Sequence, residues 1–438
     1  MKTLRAILAV FQVTRRRIVN SRAFIWLLLA VLAASGALPF ALRGDGSTES
    51  LLKLAVIYPP VLVFGILLTG TLWTAAALSA QDVESGAFSA IVVKPAPLTA
   101  VWLGKWLGLL TLNAVLLGVA GVALRTAIAI RATPSSATRI LDGHAAFLPD
   151  DAPLREEASA RQTVIRMSGE PTPDVNSLLM HVKTEAFRIP PGQHYSWTIP
   201  LDGSGIAGAD ADWSLQFQFH CAAVERRPID GTWTIRTADG TEQKIPANGL
   251  LDGPHQLPLG SAAYAGTVSV SFSNQSDSAA TVFFSPLAPV SLLRREMPFG
   301  QNLLRAFLLL FCFLAAAAAL ALSLGTLFSF PVAVFIASAL VLALLLAHSF
   351  AAIPEPGHSH GPSDLAAHAG SRAGEWMLAK LHHGTARTLR LMPLRQLADA
   401  RTIRTSQLVR AALALLAAIP SSLCLISGLH LRRREFPI

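Results

Sequence analysis

The 438 residues are 52% hydrophobic and 14% charged, with a mean hydropathy of +0.48, figures that exclude an ordinary soluble chain of two or three domains. The net charge is +9, but residues 131–300 hold 13 Lys and Arg against 18 Asp and Glu, which leaves 23 cations and 9 anions in the rest of the chain. The cations therefore flank apolar runs, as in proteins anchored against anionic headgroups, and this speaks against nucleic acid as a partner.

In residues 1–22, Leu4, Ile7, Leu8, Phe11 and Ile18 fall near helical spacing while Arg5, Arg15, Arg16 and Arg17 take other positions. The pattern predicts an amphipathic helix lying in the inner membrane interface. Six charge-free runs follow: Ala23–Leu42, Leu54–Leu78 (interrupted by Pro59 and Pro60), Trp106–Leu124, Ala306–Leu324, Pro331–Ala347 and Ala411–Leu429. Each approaches or exceeds the roughly 20 residues needed to cross a hydrocarbon core about 30 Å thick. The first follows a basic leader and exceeds a secretory apolar core, so it is expected to remain as an anchor. Lys105, Arg305 and Arg410 stand only at run edges, where they can snorkel to the interface.

The basic leader and Arg432, Arg433 and Arg434 in the tail predict that both termini are cytoplasmic. Residues 23–130 then hold three crossings and a cytoplasmic loop at 79–105, and 131–300 face outside. Residues 301–352 hold two more crossings, 353–407 return outside, and 408–438 supply the last crossing and the basic tail.

Within 131–300, Trp213, Leu215, Phe217, Phe219 and Cys221 alternate with Ser214, Gln216, Gln218 and His220, the period of a half-buried strand. That places Cys221 toward a core and His220 toward the polar side. A hairpin is expected from Trp233 and Ile235 through Asp239-Gly240 to Lys244 and Ile245, with further strands at Tyr195–Ile199, Val268–Phe272 and Thr281–Ser285. Short strands divided by Gly, Pro and Asp predict an antiparallel β-sandwich, preceded by a helix from about Asp151 to Met167. No hydrolase or paired-cysteine metal motif occurs there, and the three cysteines, Cys221, Cys312 and Cys424, make no disulfide framework. Asn274-Gln275-Ser276 matches a glycosylation sequon, a pattern short enough to arise by chance.

Between the second and third runs stand Asp82, Glu84, Gly86, Lys94, Pro95, Pro97, Gly104 and Lys105. Their order predicts a short helix along the bilayer surface, acids first, broken at the prolines and ending at Lys105 on the membrane edge. Glu84, Gly86, Pro95, Gly104 and Lys105 together resemble the cytoplasmic loop of ABC-2 type ATP-driven transporter permeases. The closing run from Gly428 through Arg432 to Glu435 and Phe436 is similar to the end of that family.

The resemblance agrees with a polytopic α-helical membrane protein of six transmembrane helices in a bacterial plasma membrane; members of the family commonly have a short link between the third and fourth crossings, where this chain inserts its extracytoplasmic β-sandwich. The resemblance implies that the five loop residues couple to a separate ATP-binding subunit, and that a second permease completes the transporter. ATP and Mg would belong to that partner, since no phosphate-cradling Gly-x-x-x-x-Gly-Lys-Ser/Thr occurs here; no cofactor and no enzymatic activity are expected of this chain. The inserted domain would meet cargo or an envelope protein. The alternative is a membrane anchor or signalling scaffold, without transport, that displays the sandwich.

In 353–407, Trp376, Met377 and Leu381 lie among Lys380, Arg387 and Arg390, a second amphipathic pattern expected at the outer surface. His358, His360 and His368 stand close enough together to bind Zn or Cu, against the plainer reading of a solvated His-rich loop. No carboxylate lies within the six runs to relay protons.

Overall fold

A computed structural model describes residues 2–42, 48–84, 97–132, 141–169, 173–201, 211–221, 229–250, 253–261, 264, 266–276, 281–286, 290–350 and 393–433. Its elements in chain order begin with α1 (Lys2–Val19), α2 (Arg22–Ala41), α3 (Thr48–Glu84), α4 (Leu98–Arg131) and β1 (Gly143–Phe147). Next come α5 (Ala152–Met167), α6 (Val175–Ala186), β2 (Arg188–Ile189), β3 (His194–Pro200), β4 (Asp212–Cys221), β5 (Ile229–Arg236) and β6 (Glu242–Leu250). The remainder are β7 (Gly253–Ser261), β8 (Thr267–Asn274), β9 (Val282–Phe284), β10 (Ser291–Met297), α7 (Phe299–Leu327), α8 (Phe330–Phe350), α9 (Leu394–Ala398) and α10 (Thr405–His430). The chain divides into a helical unit, from Met1–Gly143, Met297–Ile353 and His360–Ile438, and a β-rich unit centred on His144–Glu296.

In the helical unit, α2, the Leu54–Glu84 part of α3, α4, α7 and α10 are long and apolar enough to cross a membrane. The run expected at 331–347 lies on α8, whose described apolar stretch Phe330–Leu345 is shorter than these five. Helix α7 is central, 67% of its apolar window being buried, whereas α2 is only 22% buried. Small side chains explain the difference: Ala315, Ala318, Ala319 and Gly325 let neighbours approach closely, and a β carbon on Gly325 would come within 2.6 Å of the Ala76 carbonyl on α3. Two polar ties cross the apolar interior. Thr71 donates to Asn113 Oδ1 at 3.0 Å, and the Trp106 indole donates to the Ala315 carbonyl at 2.9 Å.

Two features of the helices differ from expectation. Helix α3 continues through Pro59 and Pro60 rather than breaking there, a tolerance that buried transmembrane helices allow when freed carbonyls find other partners. Prolines act elsewhere instead: the π-helical turns Ala33–Ala37 in α2 and Ala412–Ala418 in α10 each end two residues before a proline, Pro39 and Pro420, where the wider turn makes room for the ring. Finally, no separate surface helix carries Asp82 and Glu84. They lie on the last turns of α3, and Gly104 and Lys105 lie two turns inside α4, because the ion pair described below lets both helices continue past their charges.

The β-rich unit has two antiparallel sheets. One follows the order β1-β10-β4-β9-β2 with β7 also on β4, and the other the order β3-β8-β5-β6. The period-two pattern of β4 holds: Trp213, Leu215, Phe217 and Phe219 are buried, His220 is exposed, and Cys221 packs partly against the core. That face joins one aromatic core with the other sheet, Phe217 and Trp233 lying 4.7 Å apart and Trp233 and Phe272 4.9 Å apart by ring centroid. At the β5–β6 turn Gly240 takes φ +86°, and the Thr237 hydroxyl, with the Thr241 amide, holds the Asp239 carboxyl below its usual range.

Asn274 of the sequon is fully buried, and its Nδ2 donates to the Ile189 carbonyl at 3.1 Å, so in this fold it offers no amide for a glycan. Strand β7, with Pro254 and Pro258, reads as loop in sequence; it pairs only with β4, and an edge strand can carry prolines. Helix α5 spans the range expected for it, and α6, which the sequence reading missed, packs beside it through Lys183 to Asp151 at 2.6 Å and Arg161 to Glu185 at 2.8 Å.

Candidate functional site

Acids at a helix C-terminus face the negative end of the helix dipole and need cations to answer them. Asp82 on the last turn of α3 has two. Lys105 Nζ, on α4, lies 2.7 Å from Asp82 Oδ2 and also donates to the Leu78 carbonyl at 2.9 Å. Arg17, at the end of α1, sits with Nη1 3.3 Å from Asp82 Oδ1 and donates from Nη2 to Gln81 Oε1 at 2.9 Å. Lys105 is only 5% exposed, so its ammonium is an interior charge neutralised on site rather than a snorkelling one at a membrane edge.

Two glycines permit the third element to take part. A β carbon on Gly104 would stand 2.7 Å from Val10 Cβ and 2.9 Å from the Ile7 carbonyl, and one on Gly108 would stand 2.8 Å from Thr14 Cγ2. Helix α1 therefore crosses α4 directly on this i, i+4 glycine pair, with Thr14 and Ile18 buried beneath it, and the crossing brings Arg17 to Asp82. Glu84, two residues on, accepts from the amide of Phe330 at 3.1 Å and so places a carboxylate at the N-terminus of α8. The last turn of α10 belongs to the same end of the bundle, a β carbon on Gly428 lying 3.2 Å from Thr99 Cγ2.

Of the five loop residues singled out in sequence, the structure brings Gly104 and Lys105 into this joint and sets Glu84 beside it at the end of α3, bonded to the first amide of α8. Gly86 and Pro95 lie outside the described residues. Arg15 stacks over Phe11 at 5.8 Å, Arg15 and Arg16 are exposed, and Arg17 turns to Asp82. Arg432 and Arg433 end the last helical segment, Ile419–Arg433; Arg434 lies outside the described residues, as do His358, His360 and His368. Among the described residues no group of three or more His, Cys, Asp or Glu is arranged to hold a metal.

Sequence reasoning missed Gln81 and Asp82 as partners. The signal was there in Lys105, a cation in the first half of the apolar sequence of α4 whose burial requires a nearby anion. Three helices are thus clamped by charge at one end of the bundle, the end of α3 meeting α8 through Glu84 and the first turns of α4 meeting α1 at Gly104. No family model, curated protein or solved structure matches the chain.

Proposed function

We propose that this chain is the membrane permease subunit of an ATP-driven exporter of the ABC-2 type, working with a separate ATP-binding subunit and a second permease. The observation that supports the reading most is the Arg17–Asp82–Lys105 joint, which ties α1 to α3 and α4 at one end of the bundle, where a motor protein could push them together. On this reading Gly104 and Lys105 stiffen the joint from within, and Glu84, exposed on its rim, is the residue of the motif placed to meet the partner. Helix α8, 21 residues or about 31 Å long at 1.5 Å per residue, is the sixth crossing. The joint then faces the cytoplasm of a bacterial cell, and the β-rich unit, read as a sandwich, lies outside the plasma membrane, where it meets cargo or an envelope protein.

The test is co-purification of the full chain in mild detergent from its native host. A Walker-type ATPase should be retained by the wild type and lost at least tenfold with Glu84→Arg, while the thermal midpoint of the variant shows that it still folds. Recovery of the wild-type chain with no ATPase would favour the anchor or scaffold instead.

A further inference from the structure

Helices α4 and α7 leave a groove of about 430 Å3 between them. On α4 its wall includes Ala114, Gly118, Gly121 and Arg125, spaced so that all four share one helix face; on α7 it includes Leu303 and Phe307. The glycines keep it open. A β carbon on Gly118 would meet nothing within 4 Å, and one on Gly121 would only touch the Phe307 ring at 3.7 Å.

The single charge on the wall is Arg125, at one end. Its guanidinium lies 3.3 Å from where a β carbon of Gly300 would stand, is exposed, and makes no hydrogen bond or ion pair among the described residues. Two other arginines at this end of the bundle are committed: Arg131 donates to the Phe40 and Leu42 carbonyls, and Arg305 to the Ile403 carbonyl.

Dimensions fix the depth of the groove. Arg125 is twenty residues beyond Lys105 on one helix, about 30 Å at 1.5 Å per residue, so the helix between them is long enough to cover a hydrocarbon core and leave Arg125 at its edge. From Arg125 to Ala114 is eleven residues, about 16 Å, which is half of that core and so the depth of one leaflet. The antiparallel wall matches, since Gly300 to Phe311 on α7 is again eleven residues.

We infer that this groove is a site for an acidic phospholipid, one acyl chain lying along the glycine face of α4 and the phosphate resting on Arg125. A guanidinium pairs with phosphate through two parallel N–H donors, and at headgroup level it is only partly hydrated. The site requires only that the helical unit resides in a bilayer and is independent of whether the chain transports anything.

Full-length protein, delipidated in detergent, is offered phosphatidylglycerol or phosphatidylcholine with identical acyl chains, and retained lipid is counted by native mass spectrometry. The wild type should keep phosphatidylglycerol about fivefold over phosphatidylcholine. Arg125→Gln should erase that preference and still retain some of either lipid, whereas Gly118→Phe should reduce both, its new ring filling the groove. Should Gly118→Phe fold poorly, Gly118→Leu makes the same test. Equal retention of the two lipids by the wild type, or an unchanged preference in Arg125→Gln, overturns the site. So does equal thermal stabilisation by inorganic phosphate, which would mean an anion site without a lipid.

Discussion

Asn302 has no exposed surface, and both ends of its amide are engaged by one short stretch of backbone: Nδ2 donates to the Arg401 carbonyl at 2.9 Å and Oδ1 accepts from the Ile403 amide at 3.0 Å. Arg305, one turn later on α7, reaches the Ile403 carbonyl at 2.8 Å. Replacing Asn302 with Leu would leave two backbone groups buried without partners, at a cost of about 1–3 kcal/mol. The expected result is a lower denaturation midpoint in detergent for Asn302→Leu; a midpoint equal to wild type would show that the 401–403 stretch is not held this way. Nothing in the sequence announced this node. Its partners are about a hundred positions apart, and periodicity reports only neighbours along one element. Lys105 was half legible by contrast, because a cation inside an apolar helix demands a counter-ion, yet its identity as Asp82 rests on how α3 and α4 pack.

Among the elements, α1 depends most on a single backbone feature. Its amphipathic pattern was readable, and the buried side of that pattern turns out to meet α4 at Gly104 and Gly108. Gly104→Leu forces the side chain into Val10 and the Ile7 carbonyl and should lift α1 from the bundle, costing about 1–3 kcal/mol as overpacking does. A cysteine placed at Val10 should then react with a polar maleimide several times faster than in the Gly104 parent; unchanged labelling would mean that the contact yields without displacing the helix. Strands whose hydrophobic period is intact, β4, β5 and β8, were legible for the same reason that α1 was. Strand β7 was not, since its prolines and glycines carry a loop's composition and only pairing with β4 makes it a strand. Helix ends were misjudged at Asp82, Lys105, Arg125 and Arg410, because a count of uncharged positions stops at a charge whether or not the helix does.

At the scale of the whole molecule, composition separated a lipid-solvated portion from a polar one, and the described structure places five membrane-length helices in the first and ten strands, with α5 and α6, in the second. The helical unit closes on itself where the β-rich unit begins and ends. Asp142 Oδ1 accepts from the Phe299 amide at 2.8 Å, and a β carbon on Gly143 would stand 2.8 Å from Met297 Cγ. The chain thus leaves the bundle and returns to it through two residues that already touch. Sites of this kind tolerate grafting, since joining ends that are already neighbours adds almost no closure entropy. A shortened gene in which Gly143 leads to Met297 through a few glycines and serines should therefore yield a bundle with undiminished helical circular dichroism and a cooperative melt. Aggregation of that product would show that the bundle needs its passenger to fold. Success would make the doorway at Asp142 and Phe299 a socket: sequences of other origin could be seated there, and the helical portion could be studied with its inserted appendage exchanged at will.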